Sequence, residues 1–526
     1  MRRRSFLAGA ATAVAAPLAR PAIAAPVKTV TFVPQSNLNS IDPVWTTATV
    51  TRNFGLAVYE MLYGRDLEMN PRPQMLEGHL IENDGKRWTM KLREGLLWHD
   101  GTPVLASDCI ASLNRWAKRD PMGATIFART DELVIKDDRT WVWRLSKPFP
   151  SLPKVLSKNQ TSPVMLPARL AATDPFKQIP EAIGCGPFRF VPDEHVMGHH
   201  AVMARFERYQ PRQEKADFTS GGKKVNIDRL IWQTIPDPAT AANALVTGEV
   251  DWVEMPLPDL MPMLKSQSNL ITGRIDPHGI IGAMRPNHIV GPTDNAALRR
   301  VMLAAVDQRE VMMAVMGDDP EGWQAPVGFL VSGKPEVDDA GMEVLRKRQT
   351  KDALKAALGR TGYNNERIVL LHPTDQSFYN AACSVVAQAL SEVGFNIDDQ
   401  SMDWGTVVQR RTSKAPIDKG GWSLFPSGLP AAEYRDPLLS NVARSNGAEA
   451  WFGWPDDPKL EHIYETWLDT ADAAAQTRLE RDYQLAAFAS VPYLPLGRYL
   501  QQSAWSRNLT NILRGPAPLF WQLEKA

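Results

Sequence analysis

Cysteine is scarce in this chain, which has 3 cysteines in 526 residues. Cys109, Cys185 and Cys383 lie far apart, and no two have the short spacing of a metal-binding pair. At most one disulfide bond can form, so this is not a disulfide-stabilised scaffold. We therefore expect the fold to depend on its hydrophobic core, with the cysteines as buried or half-buried thiols.

The chain also lacks an excess of charge of either sign, with 59 basic and 59 acidic side chains. The first 24 residues carry Arg2, Arg3, Arg4 and Arg20 but no acid, so their removal leaves a net charge of about −4. This weak acidity offers no basic surface for nucleic acid, which we exclude as a partner. No later stretch supplies the roughly 20 apolar residues that a membrane-spanning helix needs.

Catalytic signatures are missing as well: there is no G-x-S-x-G, H-E-x-x-H or Walker-type motif. The Gly-Cys-Gly of residues 184–186 precedes a strand pattern, whereas a dinucleotide fingerprint needs a helix there. His195, His199 and His200 form the only histidine cluster and indicate a hairpin, with the two adjacent rings on opposite faces. We expect no catalytic residue, no metal site and no cofactor. An exported hydrolase is the alternative, but it lacks a nucleophile motif.

The N-terminus has the pattern of an export signal. Three arginines precede Ser-Phe-Leu, a short Ala-rich apolar run follows at residues 8–18, and Ala-Ile-Ala closes it at 22–24. The paired arginines favour the twin-arginine route over an ordinary Sec signal. We therefore predict an export signal at residues 1–24, cleavage before Ala25 or Pro26, and a periplasmic mature protein.

Strand and helix patterns alternate along the rest of the chain, which is too long for a single core. Strands are predicted at 30–33, 88–92, 140–145 and 229–235 from alternating, β-branched or aromatic side chains. Helices are predicted after Asp237 and Asp307, which suit N-caps, and over 375–393 before Gly394. The sequence thus indicates a soluble α/β protein with large lobes.

The region 83–115 carries the most specific signal. It reads NDGKRW at 83–88, KLREG at 91–95 and WHDGTP at 98–103. This order of turn, strand, turn and helix resembles the signature region of family 5 extracellular solute-binding proteins, the peptide- and nickel-type receptors of ABC importers. SIDP at 40–43, GCGPF at 184–188, GEVDW at 248–252, AVDQRE at 305–310 and WGT at 404–406 resemble further family segments, in the family's order.

The resemblance implies a two-lobed periplasmic binding protein fold with mixed sheets, an extra subdomain and a two-segment hinge. Lobe one would span 25–278 with the subdomain at about 50–183, lobe two 279–494, and 495–526 would return to lobe one. The crossings are expected near 279–287 and 491–499. The function implied is an extracytoplasmic receptor, expected to be a monomer, that captures a small organic or peptide-like solute and delivers it to an inner-membrane ABC permease. A metal-chelate receptor and a sensory or chaperone-like binder remain as alternatives.

The resemblance also supplies the candidate ligand-binding residues. These are Asn37, Cys185, Arg285, Asn287, Trp404, Trp422 and Phe425. Phe425 stands about where peptide-binding members have an aspartate for the peptide amine, with Glu433 and Asp436 the nearest acids, so free-amine peptides become doubtful. Arg285 departs from the family's Gly-Phe-Asn and suggests a partner for a ligand carboxylate or phosphate; a structural ion pair is the alternative. The aromatic residues are expected either as cavity walls or as core.

Overall fold

A computed structural model describes residues 27–319 and 321–526. The predicted export signal at 1–24 lies outside these residues. Within them, no helix has the length and apolar character needed to cross a membrane.

The first lobe is built on a mixed seven-stranded sheet that buries the first strand at its centre. Val30 and Phe32 alternate with half-buried Thr29 and Thr31, and their side chains are fully buried, as the alternating pattern predicts. In spatial order the strands are Leu270–Gly273, Ser503–Ser506, Trp252–Val253, Thr29–Val33, Arg229–Gln233, His200–Arg205 and Phe188–Phe190. The strands predicted at 30–33 and 229–235 are therefore confirmed, and strand Ser503–Ser506 brings the C-terminal segment back into this lobe.

A separate antiparallel sheet forms a subdomain of the first lobe. Its strands, in order, are Leu76–Glu82, Arg87–Leu92, Thr140–Leu145 and Thr130–Ile135. Trp88, Met90 and Leu92 alternate with more exposed residues and are buried. The predicted strands at 88–92 and 140–145 are confirmed. Two short pairs complete the strands: Tyr63–Arg65 with Pro71–Pro73, and Leu509–Thr510 with Glu524–Lys525.

The second lobe is built on a six-stranded mixed sheet. In spatial order its strands are Trp323–Gln324, Leu494–Tyr499, Ile280–Pro286, Leu424–Pro430, Arg367–Pro373 and Asn396–Met402. The chain therefore passes between the large sheets at residues 274–279 and again at 500–502. The first crossing overlaps the predicted range 279–287 only at residue 279, and the second lies outside the predicted range 491–499. Both predicted ranges fall mostly within lobe-two strands, because their apolar runs continue as strands. The predicted boundary at 494/495 falls within strand Leu494–Tyr499.

Helices cover the sheets, and several begin and end where the sequence predicts. Asp237 accepts a hydrogen bond from the Thr240 N–H at 2.7 Å, and Asp307 accepts one from the Arg309 N–H at 2.8 Å. Gly394 ends its helix in the left-handed region at φ 111°. The α-helices are Thr49–Val58, Ala106–Ala117, Pro121–Phe127, Leu152–Val155, Ala168–Ala171, Pro238–Thr247, Met261–Lys265, Ala296–Ala305, Gln308–Met316, Pro335–Asp338, Glu343–Arg346, Lys351–Gly359, Ser377–Val393, Trp404–Arg410, Pro458–Asp469 and Ala473–Ser490.

Candidate functional site

A cavity of about 640 Å³ lies between the lobes. Lobe one contributes residues 35–36 and 46–49 with Trp252, Glu254 and Met255, among others. Lobe two contributes Trp404, Val408, Arg411, residues 427–430, Glu433 and Tyr434, among others. Asp276, within the first crossing, and Tyr499, next to the second, also line it. A cavity of this volume suits a small organic molecule or a short peptide.

Stacked aromatic rings form part of the lobe-two wall. Tyr379 and Trp404 stack with ring centroids 4.7 Å apart and an interplanar angle of 27°. Phe378 and Tyr499 stack at 4.4 Å and 22°. All four side chains line the cavity, so the body of a ligand meets broad, rigid apolar faces.

Arg411 is the most unusual charged group on this wall. Its side chain is only 8 % exposed, yet within the described residues it donates no side-chain hydrogen bond and makes no ion pair. Four aromatic rings surround its guanidinium: those of Phe452, Trp451, Trp404 and Phe425, at 4.8 to 5.8 Å from the guanidinium carbon. Burial lowers the Arg411 pKa to about 10, which leaves the group positively charged at neutral pH.

The aromatic surroundings favour the Arg411 cation through cation–π attraction, but its buried Nε–H has no acceptor among the described residues. A buried guanidinium normally has hydrogen-bond acceptors, because an unmet charged donor is costly. The geometry therefore provides a ready partner for a ligand carboxylate, which accepts two parallel hydrogen bonds from a guanidinium.

The lobe-one wall carries acids beside another arginine. Glu254 accepts hydrogen bonds from the Gln35 N–H at 2.7 Å and from Asn53 Nδ2 at 3.0 Å. Burial raises the pKa of the Glu254 carboxyl to about 7, against the lowering effect of these donors. Arg52, which also lines the cavity, donates to Asn53 Oδ1 at 3.0 and 2.7 Å. Asn53 thus links the two charged groups in one fixed arrangement.

Arg285 does not lie on the cavity wall. Its side chain is fully buried, and its guanidinium donates to the carbonyl oxygens of Val442, Trp451, Phe452 and Pro492. This geometry fits neither of the two roles considered for Arg285, which were a contact with a ligand anion and an ion pair with a carboxylate of the protein. The role of Arg285 is corrected accordingly: it ties three loop segments to a lobe-two strand, and burial lowers its pKa to about 9.

The predicted aromatic residues divide between wall and core. Trp404 lines the cavity, as expected for a wall residue. Trp422 and Phe425 are fully buried in a cluster with Val369, Leu371 and others, and they do not line it. For these two residues the core alternative fits, although Phe425 still packs beneath Arg411 at 5.8 Å.

Asn37, Cys185 and Asn287 also lie off the cavity wall. Asn37 donates to Asn39 Oδ1 at 2.6 Å, close to the cavity residues Gln35 and Ser36. Asn287 is fully buried and donates to the Trp422 carbonyl at 3.1 Å.

Cys185 is 2 % exposed, and burial raises the pKa of its thiol. Its glycine neighbours pack tightly, since a Cβ on Gly184 would meet the Val58 carbonyl oxygen at 2.1 Å. The Gly-x-Gly pattern therefore serves chain packing at this position.

The histidine cluster differs from its predicted geometry. His199 lies in the turn and not in the strand, so its ring contacts that of His200 with centroids 4.8 Å apart. The hairpin itself is confirmed by the pairing of Val196 with His200. Among residues 27–319 and 321–526 no group of three metal-ligating side chains comes together.

Sequence reasoning missed Arg411, Glu254 and Arg52. One signal was available for Arg411: it stands seven residues after Trp404, two helical turns on, and so on the same face. Glu254 and Arg52 meet only through the packing of helix Thr49–Val58 beside strand Trp252–Val253, which no local pattern indicates.

Two α/β lobes with a ligand-sized cavity between them define a bilobed solute-binding protein. The sequence profile of the bacterial extracellular solute-binding proteins, family 5, matches residues 70–446. The chain belongs to this family, which confirms the membership predicted from residues 83–115, and the predicted fold class is confirmed as well.

Individual proteins show the same likeness. The chain is 34% identical over 526 residues to the probable peptide ABC transporter periplasmic-binding protein y4tO of Sinorhizobium fredii (strain NBRC 101917 / NGR234), covering 100% of this chain and 98% of that one. The structure is similar to the binding protein AgaA from A. tumefaciens R10 in complex with agropinic acid, with TM-score 0.79, 20% identity and coverage of 95% and 99%. It is equally similar to a dipeptide-binding protein from Pseudoalteromonas sp. SM9913 in complex with Met-Leu, with TM-score 0.79, 18% identity and coverage of 95% and 100%.

Proposed function

We propose that this protein is the periplasmic receptor of an ABC importer and that it binds a small peptide-like or organic solute through a carboxylate on Arg411. The observation that carries the proposal is a charged guanidinium, nearly buried in the wall of the cavity between the lobes, with no acceptor in the described chain. A non-catalytic receptor fits the family, whose members are binding proteins.

The cavity and the compared proteins support this ligand class. The cavity volume of about 640 Å³ accommodates a dipeptide or an organic acid of similar size. The relative y4tO is described as a probable peptide ABC transporter protein, and the two structural neighbours hold agropinic acid and Met-Leu. Stacked rings beside Arg411 would pack against the apolar body of such a solute.

The proposal also states where the protein acts and how it delivers the solute. The export signal predicted at 1–24 and the periplasmic description of y4tO support release of the mature chain into the periplasm. Closure of the lobes around the solute would present the closed form to a membrane permease, since a ligand that touches both lobes favours the closed state. We expect the receptor to act as a monomer.

Native mass spectrometry of the protein purified from the periplasm tests the ligand assignment. We expect a bound carboxylic acid in the wild-type protein, its loss from Arg411→Ala, and its retention in Arg410→Ala. Arg410 is a matched control, because it precedes Arg411 and already donates to Gln400 Oε1 at 2.7 Å. Retention of the same molecule by Arg411→Ala at the wild-type level contradicts the proposal.

A further inference from the structure

The carboxylate of Glu433 lies where the two lobes meet, beside the cavity. It belongs to lobe two, at the end of the short turn Ala431–Glu433 that follows strand Leu424–Pro430. Its Oε1 accepts a hydrogen bond from Arg65 Nη1 of lobe one at 3.0 Å. Its Oε2 is buried, has no donor among the described residues, and belongs to a side chain that lines the cavity.

Two hydrogen bonds within lobe one hold the Arg65 side chain in place. Its Nε donates to Ser157 Oγ at 3.2 Å and its Nη2 to the Lys154 carbonyl at 3.2 Å. Its side chain is 1 % exposed. Lobe one thus presents a fixed N–H group, and Glu433 is the partner that lobe two supplies.

The second carboxylate oxygen of Glu433 is not satisfied by the nearby charges. Arg52 also lines the cavity, but its guanidinium donates to Asn53 Oδ1 and makes no ion pair with Glu433. The side chain of Glu433 is 7 % exposed, so water reaches it poorly in this structure. A buried acceptor without a donor destabilises the state that contains it, and a charged acceptor does so more strongly.

In a form whose lobes are joined through Arg65 and Glu433, as in this structure, Oε2 therefore lacks one hydrogen-bond donor among the described residues, and opening of the lobes would expose it to water. A ligand that supplies the donor interacts more favourably with the closed form than with the open form, where water can solvate Glu433. Such a difference in affinity is what shifts an equilibrium between two conformations.

We propose that Glu433 is a specificity residue: Oε2 accepts a hydrogen bond from an N–H or O–H group of the ligand, while Oε1 holds lobe one through Arg65. The inference deepens the proposed function and rests on it. Together with Arg411 it assigns a ligand that carries a carboxylate at one point and a hydrogen-bond donor at another.

A thermal-shift and calorimetry panel tests the inference with matched probes. The panel contains L-amino acids, X-Leu dipeptides and α-hydroxy acids, each beside the analogue in which hydrogen replaces the amino or hydroxyl group. We expect wild-type protein, freed of bound solute, to bind donor-bearing members about 10- to 100-fold more tightly than their analogues. Glu433→Gln should lose most of this preference. Glu449→Gln is the control, since it removes an exposed acid of the same cavity.

Two further variants separate the possible failures. Arg65→Met keeps the charge of Glu433 but frees it from lobe one, so we expect weaker binding of donor-bearing probes and less ligand-driven compaction in small-angle scattering. Arg411→Ala should weaken every carboxylate probe, with or without the donor. If Glu433→Gln keeps the wild-type preference, the inference is overturned while the proposed function stands. If no carboxylate in the panel binds wild-type protein, the proposed ligand class is overturned and the inference with it.

Discussion

Glu254 should give the protein a measurable dependence of stability on pH. Its carboxyl has a pKa of about 7 in the folded protein, mainly because of burial, against an ordinary value of 4.5. At pH values between 4.5 and about 7 the folded state keeps a proton on Glu254 that the unfolded state releases, so the free energy of unfolding falls as pH rises. The contribution of Glu254 is fully present below about pH 4.5 and is lost as pH rises through about 7.

The size of this effect follows from the difference between the two pKa values. That difference corresponds to about 3 kcal/mol, and we expect about 2 kcal/mol because Glu254 keeps part of its surface exposed to the cavity. Glu254→Gln removes the titration. It also adds an offset that is independent of pH, because the Gln35 N–H and Asn53 Nδ2 bind different carboxylate oxygens and an amide has an oxygen at only one of the two positions.

Urea unfolding of solute-free protein at pH 5, 6, 7 and 8 measures the effect. The free-energy difference between Glu254→Gln and wild type should move by about 1.5 kcal/mol in favour of the variant between pH 5 and pH 8, because part of the effect is already lost by pH 5. Other titrating groups are common to both proteins, so their contributions to this difference cancel. A difference that stays constant across this range refutes the buried, proton-holding state of Glu254.

Three shorter predictions concern stability, thiols and export. Arg285→Met should lower the free energy of unfolding by about 3 kcal/mol or more, since the carbonyl oxygens of Val442, Trp451, Phe452 and Pro492 lose a charged donor, and urea melts showing a loss below about 1 kcal/mol contradict this role. All three cysteines are free and buried and have raised thiol pKa values, so Ellman's reagent should react with them only after unfolding; rapid reaction in the native protein contradicts their burial. Replacing Arg3 and Arg4 with Lys should trap the precursor in the cytoplasm, whereas unchanged periplasmic yield, followed by immunoblot, argues for a Sec signal, which tolerates lysine.

The fold could be predicted well from the sequence because its signals are local. The alternation in 88–92 fixes which side chains of that strand face the core, and Asp237 and Asp307 cap the helices they precede. The crossings were harder to place. Val491 and Pro492 precede a lobe-two strand that ends only at Tyr499. The apolar pattern predicts a strand there, but it does not indicate which of the two large sheets the strand joins.

The site was predicted only in part, because burial of a charged residue depends on distant segments. Arg285 and Arg411 look alike in the sequence, but carbonyl groups from three loops surround the first and aromatic rings surround the second. The same limit applies to Trp422 and Trp404, of which only Trp404 reaches the cavity. In the sequence Glu433 is only an acid near the position of the missing aspartate. Its contact with Arg65 cannot be read from a local pattern, because the two residues lie 368 positions apart.

The most direct test of the account is a calorimetric cycle on the solute recovered from the purified protein. Wild-type protein and Arg411→Ala are each titrated with the free acid and with its methyl ester, which masks the carboxylate. In the wild type the acid should bind about 2–5 kcal/mol more tightly than the ester, and in Arg411→Ala this difference should fall below about 1 kcal/mol. An equal preference for the acid in both proteins contradicts the assignment of the carboxylate to Arg411.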